Sequence, residues 1–320
     1  MLALPALVEA EPDDVLVVRG LAPILRLALP HASVVPFDRG LSGWRRAVSK
    51  LRRGRYGSGV LLTPSFSAAW MMRWGGVPHL RGTATDGRSR LLAERIPPVA
   101  LRPHHRINQY RLLLGLDTGK VPVSHRVRAG AAELERWRTE LDAAGAPLVG
   151  LFPGANAPSR RWATDRFHEV ARTLAARGAR VVVVGGPAER QVTAQVAADV
   201  PRALDLGGLT TMEDLVAVLS LLDVFVTNDT GPMHLAGAVG TRTVSLWGPS
   251  DPAEVRQTGA PDTPVTGPAL PCKPCFRNEC HRRGRGTFLD DAHGECMRLI
   301  EVEHVLYAAL AALDEAEPRA

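Results

Sequence analysis

Short apolar runs bounded by Gly, Pro, Asn or Asp alternate, through the second half of the chain, with segments whose apolar positions recur every third or fourth residue. Leu148–Phe152, Arg180–Val184, Leu204–Leu206, Val224–Val226 and Thr243–Trp247 read as strands. Between them, Phe167, Val170, Ala171 and Leu174 mark a helix stopped by Gly178, and Glu189–Ala198 and Met212–Leu222 read as two more. Met233–Val239 is a further helix, ended by Gly240. Thr211 and Asp214 have capping-box spacing, with Asp as the weaker partner. The first half follows the same grammar. Met1–Leu7 reads as a helix, Asp14–Val18 as a strand, Leu21–Leu29 as a helix bounded by Pro30, and Val34–Phe37 as a short edge-like strand. A strand from Val60 runs into a functional-looking loop through Ser67, a helix covers Ala68–Gly76, and another begins at His104-His105 and ends at Gly115. Asp117–Ala146 carries the crossing between domains, with a charged helix near Ala131–Ala144; Val302, Val305, Leu306, Leu310 and Leu313 form a last amphipathic helix, expected to pack back across the domains.

Strands alternating with helices through short turns imply parallel, doubly wound sheets, whose ligands sit beyond the carboxyl ends of the strands. The loops 153–162 and 228–232 both fall there. In the second, strand, turn, helix, Gly stop and strand follow one another from Val224 to Pro249, so the helix that starts after Gly231 points unpaired N–H groups and partial positive charge at whatever lies above the strand ends. Thr230 and the Gly231 amide are the better phosphate donors, whereas Asp229 is assigned to capping the helix or accepting from a hydroxyl. His234, one turn in, suits a phosphate contact or a structural role. In the first loop, Gly154 permits close backbone approach, and Arg160-Arg161 supply guanidinium forks for phosphate oxygens.

The run Asn228-Asp229-Thr230-Gly231-Pro232-Met233-His234-Leu235-Ala236, followed by Leu246-Trp247-Gly248-Pro249-Ser250-Asp251-Pro252, resembles the signature of glycosyltransferase family 9, the ADP-heptose:lipopolysaccharide heptosyltransferases, and is most similar to the heptosyltransferase II type. The resemblance implies an α/β GT-B fold, two Rossmann-like doubly wound domains facing a cleft. The expected division is an acceptor-side domain with linker over 1–145 and a nucleotide-sugar domain over 146–320. It implies transfer of heptose from ADP-L-glycero-D-manno-heptose to the lipopolysaccharide inner core, with inversion and without a metal or cofactor. Donor contacts would come from Gly154, Asn156, Arg160, Glu189, Thr210, Asp229, Thr230, Gly231 and His234; the family usually has Lys at the position of Arg160, which keeps the charge and changes the reach. Trp162 is expected to pack rather than stack. Candidates for the acidic acceptor are Ser65, Arg73 and Arg81, with Arg88 and Arg90. In the family a strand and a Gly-Asp turn come just before the segment similar to Met1–Leu7, so the Asp that is the proposed general base would lie upstream of Met1. Either the reading frame starts further upstream or the base is lost. The second possibility leaves a sugar-nucleotide-binding paralogue as an alternative, and another GT-B nucleotide-sugar enzyme, such as an epimerase, as a further one.

Composition narrows the classes. With 45% hydrophobic and 22% charged residues over 320 positions, the chain reads as an ordinary soluble protein of two domains. No uncharged apolar run approaches the roughly 18 to 20 residues that spanning a membrane takes, and Pro5, Glu9, Glu11, Asp13 and Asp14 break any signal-peptide pattern, so a cytoplasmic location is expected. The formal charge of +6 points to anionic partners. Nucleic acid is not expected among them, since the chain has only three Tyr and no binding motif. In Leu41–Tyr56, Trp44, Val48 and Leu51 share one helical face while Arg45, Arg46, Lys50, Arg52 and Arg53 occupy the rest; this is either a solvated helix with a core stripe or one that touches an anionic membrane, giving peripheral contact with the inner membrane. A nicotinamide site is excluded because no G-x-G-x-x-G opens a helix after a strand, and neither ligand loop holds an Asp-x-Asp metal dyad. Cys272, Cys275, Cys280 and Cys296, in a Cys-rich insertion over 271–297, have a spacing that suits zinc, free thiols or a disulfide, with His281 and His293 the nearby bases.

Overall fold

The computed structural model describes residues 2–101, 104–119, 127–142, 145–280 and 294–316. Lys120, Pro122, His281 and His293 lie outside them. The chain divides into two compact units, Leu2–Pro122 and Val123–Ala320.

The second unit is built on one sheet. Its strands are β6 (Leu148–Phe152), β7 (Arg180–Gly185), β8 (Leu204–Gly207), β9 (Val224–Asn228), β10 (Arg242–Trp247) and β11 (Asp262–Thr266), and its helices α6 (Ala131–Glu140), α7 (Thr164–Ala176), α8 (Arg190–Ala197), α9 (Met212–Leu221), α10 (Gly231–Val239), α11 (Pro252–Val255), α12 (Glu295–Arg298) and α13 (Val302–Asp314). All neighbouring strands pair in parallel in the order β11-β10-β9-β6-β7-β8. That is the doubly wound order, with the switch point between β6 and β9. Strands β6 and β9 are buried at every position, as expected for a parallel sheet covered on both faces. Val149, Leu151, Val181, Val183, Val224 and Val226 pack with residues of α7 and α13 in one core. The intervening Gly150 faces the other way, where a Cβ would lie 2.3 Å from Leu222 Cδ1. Gly178 and Gly240 take φ of +90° and +95°, the left-handed conformation that ends α7 and α10.

The dividing line falls before α6, whereas the sequence reading placed this helix with the linker of the first domain. The reason is a tertiary contact: Trp137 of α6 is buried and its Nε1 donates to Asp214 Oδ1 at 3.0 Å, joining α6 to the capped start of α9. The capping box is present as expected. Burial pushes the Asp214 carboxyl up, but bonds from Thr211 and Trp137 and the nearby Arg136 outweigh it and hold it below its ordinary value. Helix α13, expected to pack across the domains, buries Val302, Val305, Ala308, Ala309 and Ala312 in the second unit's own core.

The first unit carries β1 (Asp14–Val18), β2 (Ser33–Phe37), β3 (Ser58–Leu61), β4 (His79–Thr83) and β5 (Glu94–Ile96), with α1 (Leu4–Ala10), α2 (Ala22–Ala28), α3 (Leu41–Gly54), α4 (Phe66–Trp74) and α5 (Arg106–Leu114). Its strands form two parallel sheets, β1-β2 and β3-β4-β5. Ala47, Val48 and Leu51 of α3 pack with Ala69 and Met71 of α4 and with Leu61 and Leu80 in the core. The start of α3 is close-packed on the turn before it: a Cβ at Gly43 would stand 1.8 Å from the Asp38 carbonyl oxygen. Backbone cannot yield as a side chain can. Gly43→Ala is therefore expected to destabilise this unit by about 3 kcal/mol, read as a lowered thermal midpoint with the second unit's transition unmoved.

Candidate functional site

The pairing of β6 with β9 decides where the two ligand loops begin. Phe152 is opposite Thr227 in the parallel register, so Pro153 and Asn228 leave the sheet side by side. Asn228 is fully buried, and its side chain is used completely: Nδ2 donates to the carbonyls of Pro153 at 2.9 Å and Gly154 at 3.2 Å, while Oδ1 accepts from the Trp162 amide at 3.2 Å. One amide thus holds both ends of the 153–162 loop against the end of β9. Sequence reasoning placed Asn228 in the turn without giving it a role, and no signal in the sequence points to it, because the role depends on β9 lying next to β6. Trp162 packs, as expected, edge-on to Phe167 with ring centroids 5.1 Å apart, and its Nε1 donates to the Ile300 carbonyl at 3.0 Å.

Between those anchors the loop presents Arg160. Its Nη1 lies 3.2 Å from Asp229 Oδ2, while its Nε is buried with no hydrogen-bond partner among the described residues. Ser159 beside it is buried and fixed to the Cys-bearing segment: its Oγ donates to the Arg277 carbonyl at 2.5 Å and its amide to the Asn278 carbonyl at 3.1 Å. Of the two roles the sequence left to Asp229, capping α10 is not taken up. The N-cap is Thr230, which makes no side-chain cap bond, and Asp229 turns instead to Arg160, with the Ser250 hydroxyl beside it. The consequence is a free helix start: the Gly231 amide is at an exposed position and Thr230 Oγ1 is engaged only locally, with the Asn228 carbonyl at 3.2 Å and Thr227 Oγ1 at 3.3 Å. An anion at this point meets unpaired backbone N–H groups.

Glu189, after β7, reaches back over the first loop. A Cβ at Gly154 would meet Glu189 Cγ at 2.6 Å, so only glycine lets the two turns approach. Arg190 Nη2 donates to the Gly208 carbonyl at 3.1 Å, tying the turn after β8 to this group, and Thr210 lies two residues beyond. Asn156 is exposed at the crest of the loop and His234 half-buried on α10. The expected donor residues therefore lie on turns at the carboxyl ends of β6, β7, β8 and β9 or, for Gly231 and His234, at the start of α10, within one unit.

Burial pushes the Asp229 carboxyl above its ordinary value, against the pull of Arg160 and Ser250; burial raises Asp262 likewise, against bonds from Thr243 and Ser245. A carboxyl whose folded pKa is raised binds its proton more tightly folded than unfolded. The stability it contributes is full below the unfolded pKa and is lost as pH rises through the folded one. Asp229→Asn removes this loss. The variant is expected to be at least as stable as the parent at neutral pH and to show a shallower decline of melting temperature above the ordinary carboxylate range, the remaining slope coming from Asp262. A variant with an unchanged pH profile would contradict the buried, raised carboxyl.

The acceptor candidates of the first unit are largely occupied by the fold. Ser65 is the N-cap of α4, accepting from the Ala68 amide at 3.4 Å, so the loop it was expected to occupy ends one residue before the helix. Arg73 donates to the carbonyls of Val77 at 3.2 Å and Pro78 at 3.0 Å. Arg81 donates to the last carbonyls of α5, Leu113 at 2.7 Å and Leu112 at 2.8 Å, and pairs with Glu94. Arg88 is fully buried and bonds the Thr83 and Thr63 carbonyls, so it shapes the β3–α4 loop and does not present its guanidinium to a ligand. Arg90 is exposed. The four cysteines are free thiols, Cys296 buried, its thiol pushed up by burial. Among the described residues no group of three or more His, Cys, Asp or Glu is arranged to hold a metal.

Residues 44–284 match glycosyltransferase family 9 (heptosyltransferase). The chain belongs to glycosyltransferase family 9. Both ligand loops lie inside the matched segment. Among its family-9 relatives, lipopolysaccharide heptosyltransferase 2 of Escherichia coli K12 is 26% identical over 233 residues, 65% of this chain and 64% of that protein, so the match spans just under two thirds of the relative's length. The solved structure of E. coli ADP-heptose lps heptosyltransferase II superposes with a TM-score of 0.78 at 22% identity, covering 98% of this chain and 95% of that one. E. coli heptosyltransferase WaaC, solved with ADP-2-deoxy-2-fluoro heptose, superposes with a TM-score of 0.62 at 19% identity, covering 83% of this chain and 89% of that one. These likenesses establish the family-9 GT-B fold, with two Rossmann-like domains.

Proposed function

We propose that the second unit binds ADP-heptose and that the chain transfers the heptose to the inner core of lipopolysaccharide, inverting the anomeric carbon without a metal. The observation that carries this reading is the pairing of an exposed helix start at Gly231 with Arg160, whose Nε is buried without a hydrogen bond to any described residue, across turns locked together by Asn228. A diphosphate placed there would receive backbone N–H groups from α10 and a guanidinium fork from Arg160. Glu189, at the end of the strand next to β6, would accept from ribose hydroxyls, the usual task of an acid at that point of a doubly wound sheet. Turnover consists of attack by an acceptor hydroxyl on the anomeric carbon from the face opposite the diphosphate. The new C–O bond forms as the bond to the diphosphate breaks, ADP leaves with the electron pair, and the hydroxyl proton passes to a base. Preorganised positive charge around the departing diphosphate supplies the electrostatic stabilisation that a metal gives elsewhere. Heptosyltransferase relatives supply the sugar and the acceptor in this reading. A lipid-borne acceptor has the chain working at the cytoplasmic face of the inner membrane.

Calorimetric titration with ADP-heptose, ADP and UDP tests the donor, and mass analysis of a lipid A-core acceptor incubated with ADP-heptose tests the transfer. ADP-heptose and ADP are expected to bind, UDP at least tenfold more weakly, and the acceptor to gain one heptose. Preference for UDP, or release of free sugar with an unmodified acceptor, would overturn the proposal.

A further inference from the structure

Three of the six tryptophans, Trp137, Trp162 and Trp247, are buried in the second unit. The other three gather on one surface of the first. Phe66, Trp70 and Trp74 stand four residues apart on α4, hence on one helical face, and are 40%, 40% and 50% exposed. Their rings follow one another with centroids 5.8 and 5.9 Å apart, and half-buried Trp44 of α3 extends the row, 6.1 Å from Trp74. Eight residues of helix rise set Phe66 and Trp74 about 12 Å apart along α4. Contiguous aromatic surface of this kind, left in water, marks an interaction site.

The rim of the row is cationic on its α3 side, while at the Phe66 end Asp86 Oδ2 accepts from the Phe66 amide at 2.6 Å. Arg45, Arg46, Lys50, Arg52 and Arg53 are exposed on α3, and neither α3 nor α4 contains an acidic residue. Arg52 Nε donates to the Trp74 carbonyl at 2.9 Å, which fixes the basic helix against the end of the aromatic row. Arg46 is partly neutralised by Asp38 at 3.1 Å. We propose that the row Phe66–Trp70–Trp74–Trp44, with the basic face of α3, is a docking surface for an anionic lipid bilayer. Indole rings prefer the headgroup level, with the apolar body towards the acyl chains and N–H towards water, and the guanidinium and ammonium groups of α3 meet lipid phosphates. Pairing this face with the same face of a second copy would set like charges against each other, which disfavours self-association. The inference deepens the functional reading in one respect, since that reading needs the chain at a membrane, but the surface belongs to the first unit and is tested without donor.

The experiment is co-sedimentation of the full chain with vesicles of phosphatidylcholine alone and of phosphatidylcholine mixed with phosphatidylglycerol, with tryptophan emission recorded on the same samples. Binding and a blue shift are expected only with the anionic vesicles, weakening as salt is raised. Each cation near such a surface strengthens binding about fivefold, so R45E/R53E is expected to lose about 25-fold or more. W70S/W74S is expected to lose about tenfold and most of the blue shift. Brominated phospholipid, applied to the unaltered chain, is expected to quench the exposed tryptophans and spare the three buried ones, so the test survives a variant that does not fold. Absence of anionic dependence, binding unchanged in both variants, no quenching, or a concentration-dependent dimer in place of vesicle binding would overturn the proposal. Loss of vesicle binding by the variants with ADP binding intact supports it; failure of ADP binding alone counts against the donor reading only.

Discussion

Arg160→Ala is expected to weaken ADP binding by about 10- to 100-fold, the span of a lost charge-assisted hydrogen bond or pair of them. The guanidinium is held 3.2 Å from Asp229, and its Nε has no hydrogen-bond partner among the described residues, so part of its donor capacity is left for a ligand. Removing it also leaves Asp229 buried without its cation. The carboxyl, already pushed up by burial, takes up a proton more readily, which limits the stability loss to about 1 to 3 kcal/mol. Arg160→Lys separates charge from geometry. A lysine ammonium keeps the positive charge with no planar fork, and Lys is the residue the family resemblance puts at this position. It is expected to retain ADP affinity within about tenfold of the parent. Calorimetric titration of the two variants decides the matter, and an alanine variant that binds ADP within a factor of about two of the parent would remove Arg160 from the site.

The second large effect is structural in origin and functional in outcome. Asn228→Ala leaves the Trp162 amide and the carbonyls of Pro153 and Gly154 without their side-chain partner, all in a buried setting. Each unsatisfied buried group costs about 1 to 3 kcal/mol, and because the three share one side chain a total of about 3 to 5 kcal/mol is expected for the second unit. The loop bearing Arg160 is then free to leave the strand end, so ADP affinity falls as well. Asn228→Asp is the sharper probe. It keeps an acceptor for the Trp162 amide but sets a second oxygen against two carbonyl oxygens and buries a charge. It is expected to be as damaging as alanine or worse, measured as the denaturant midpoint of the second unit. An aspartate variant of parental stability would mean that the contacts to Pro153 and Gly154 contribute nothing.

The two expectations differ in how far the sequence announced them. Arg160 stands in a loop of Gly, Asn, Pro and Ser between an apolar strand and a helix, and positive charge there reads as an anion contact without any knowledge of its neighbours. Asn228 carries no such mark, because its role depends on β9 lying next to β6, and strand order is not a property of either strand. The same holds for the arginines of the first unit. Arg81 and Arg88 were legible as basic residues near a loop, but that Arg81 closes the end of α5 and Arg88 sits fully buried under the β3–α4 loop follows from packing alone.

What is local was legible in the chain: the alternation of strand and helix, the glycine stops at Gly178 and Gly240, the capping box at Thr211 and Asp214, and a helix opening beyond the end of β9. These depend on residues within a turn or two of one another, so periodicity and turn chemistry suffice. Packing, in contrast, sets α6 in the second unit through Trp137 and Asp214, turns Asp229 to Arg160 instead of the start of α10, has Asn228 bind the two ligand loops together, and continues the aromatic face of α4 onto Trp44. Each joins residues far apart in the chain, and which of many possible partners a buried polar or aromatic group meets is fixed by strand order and burial, not by its sequence neighbours.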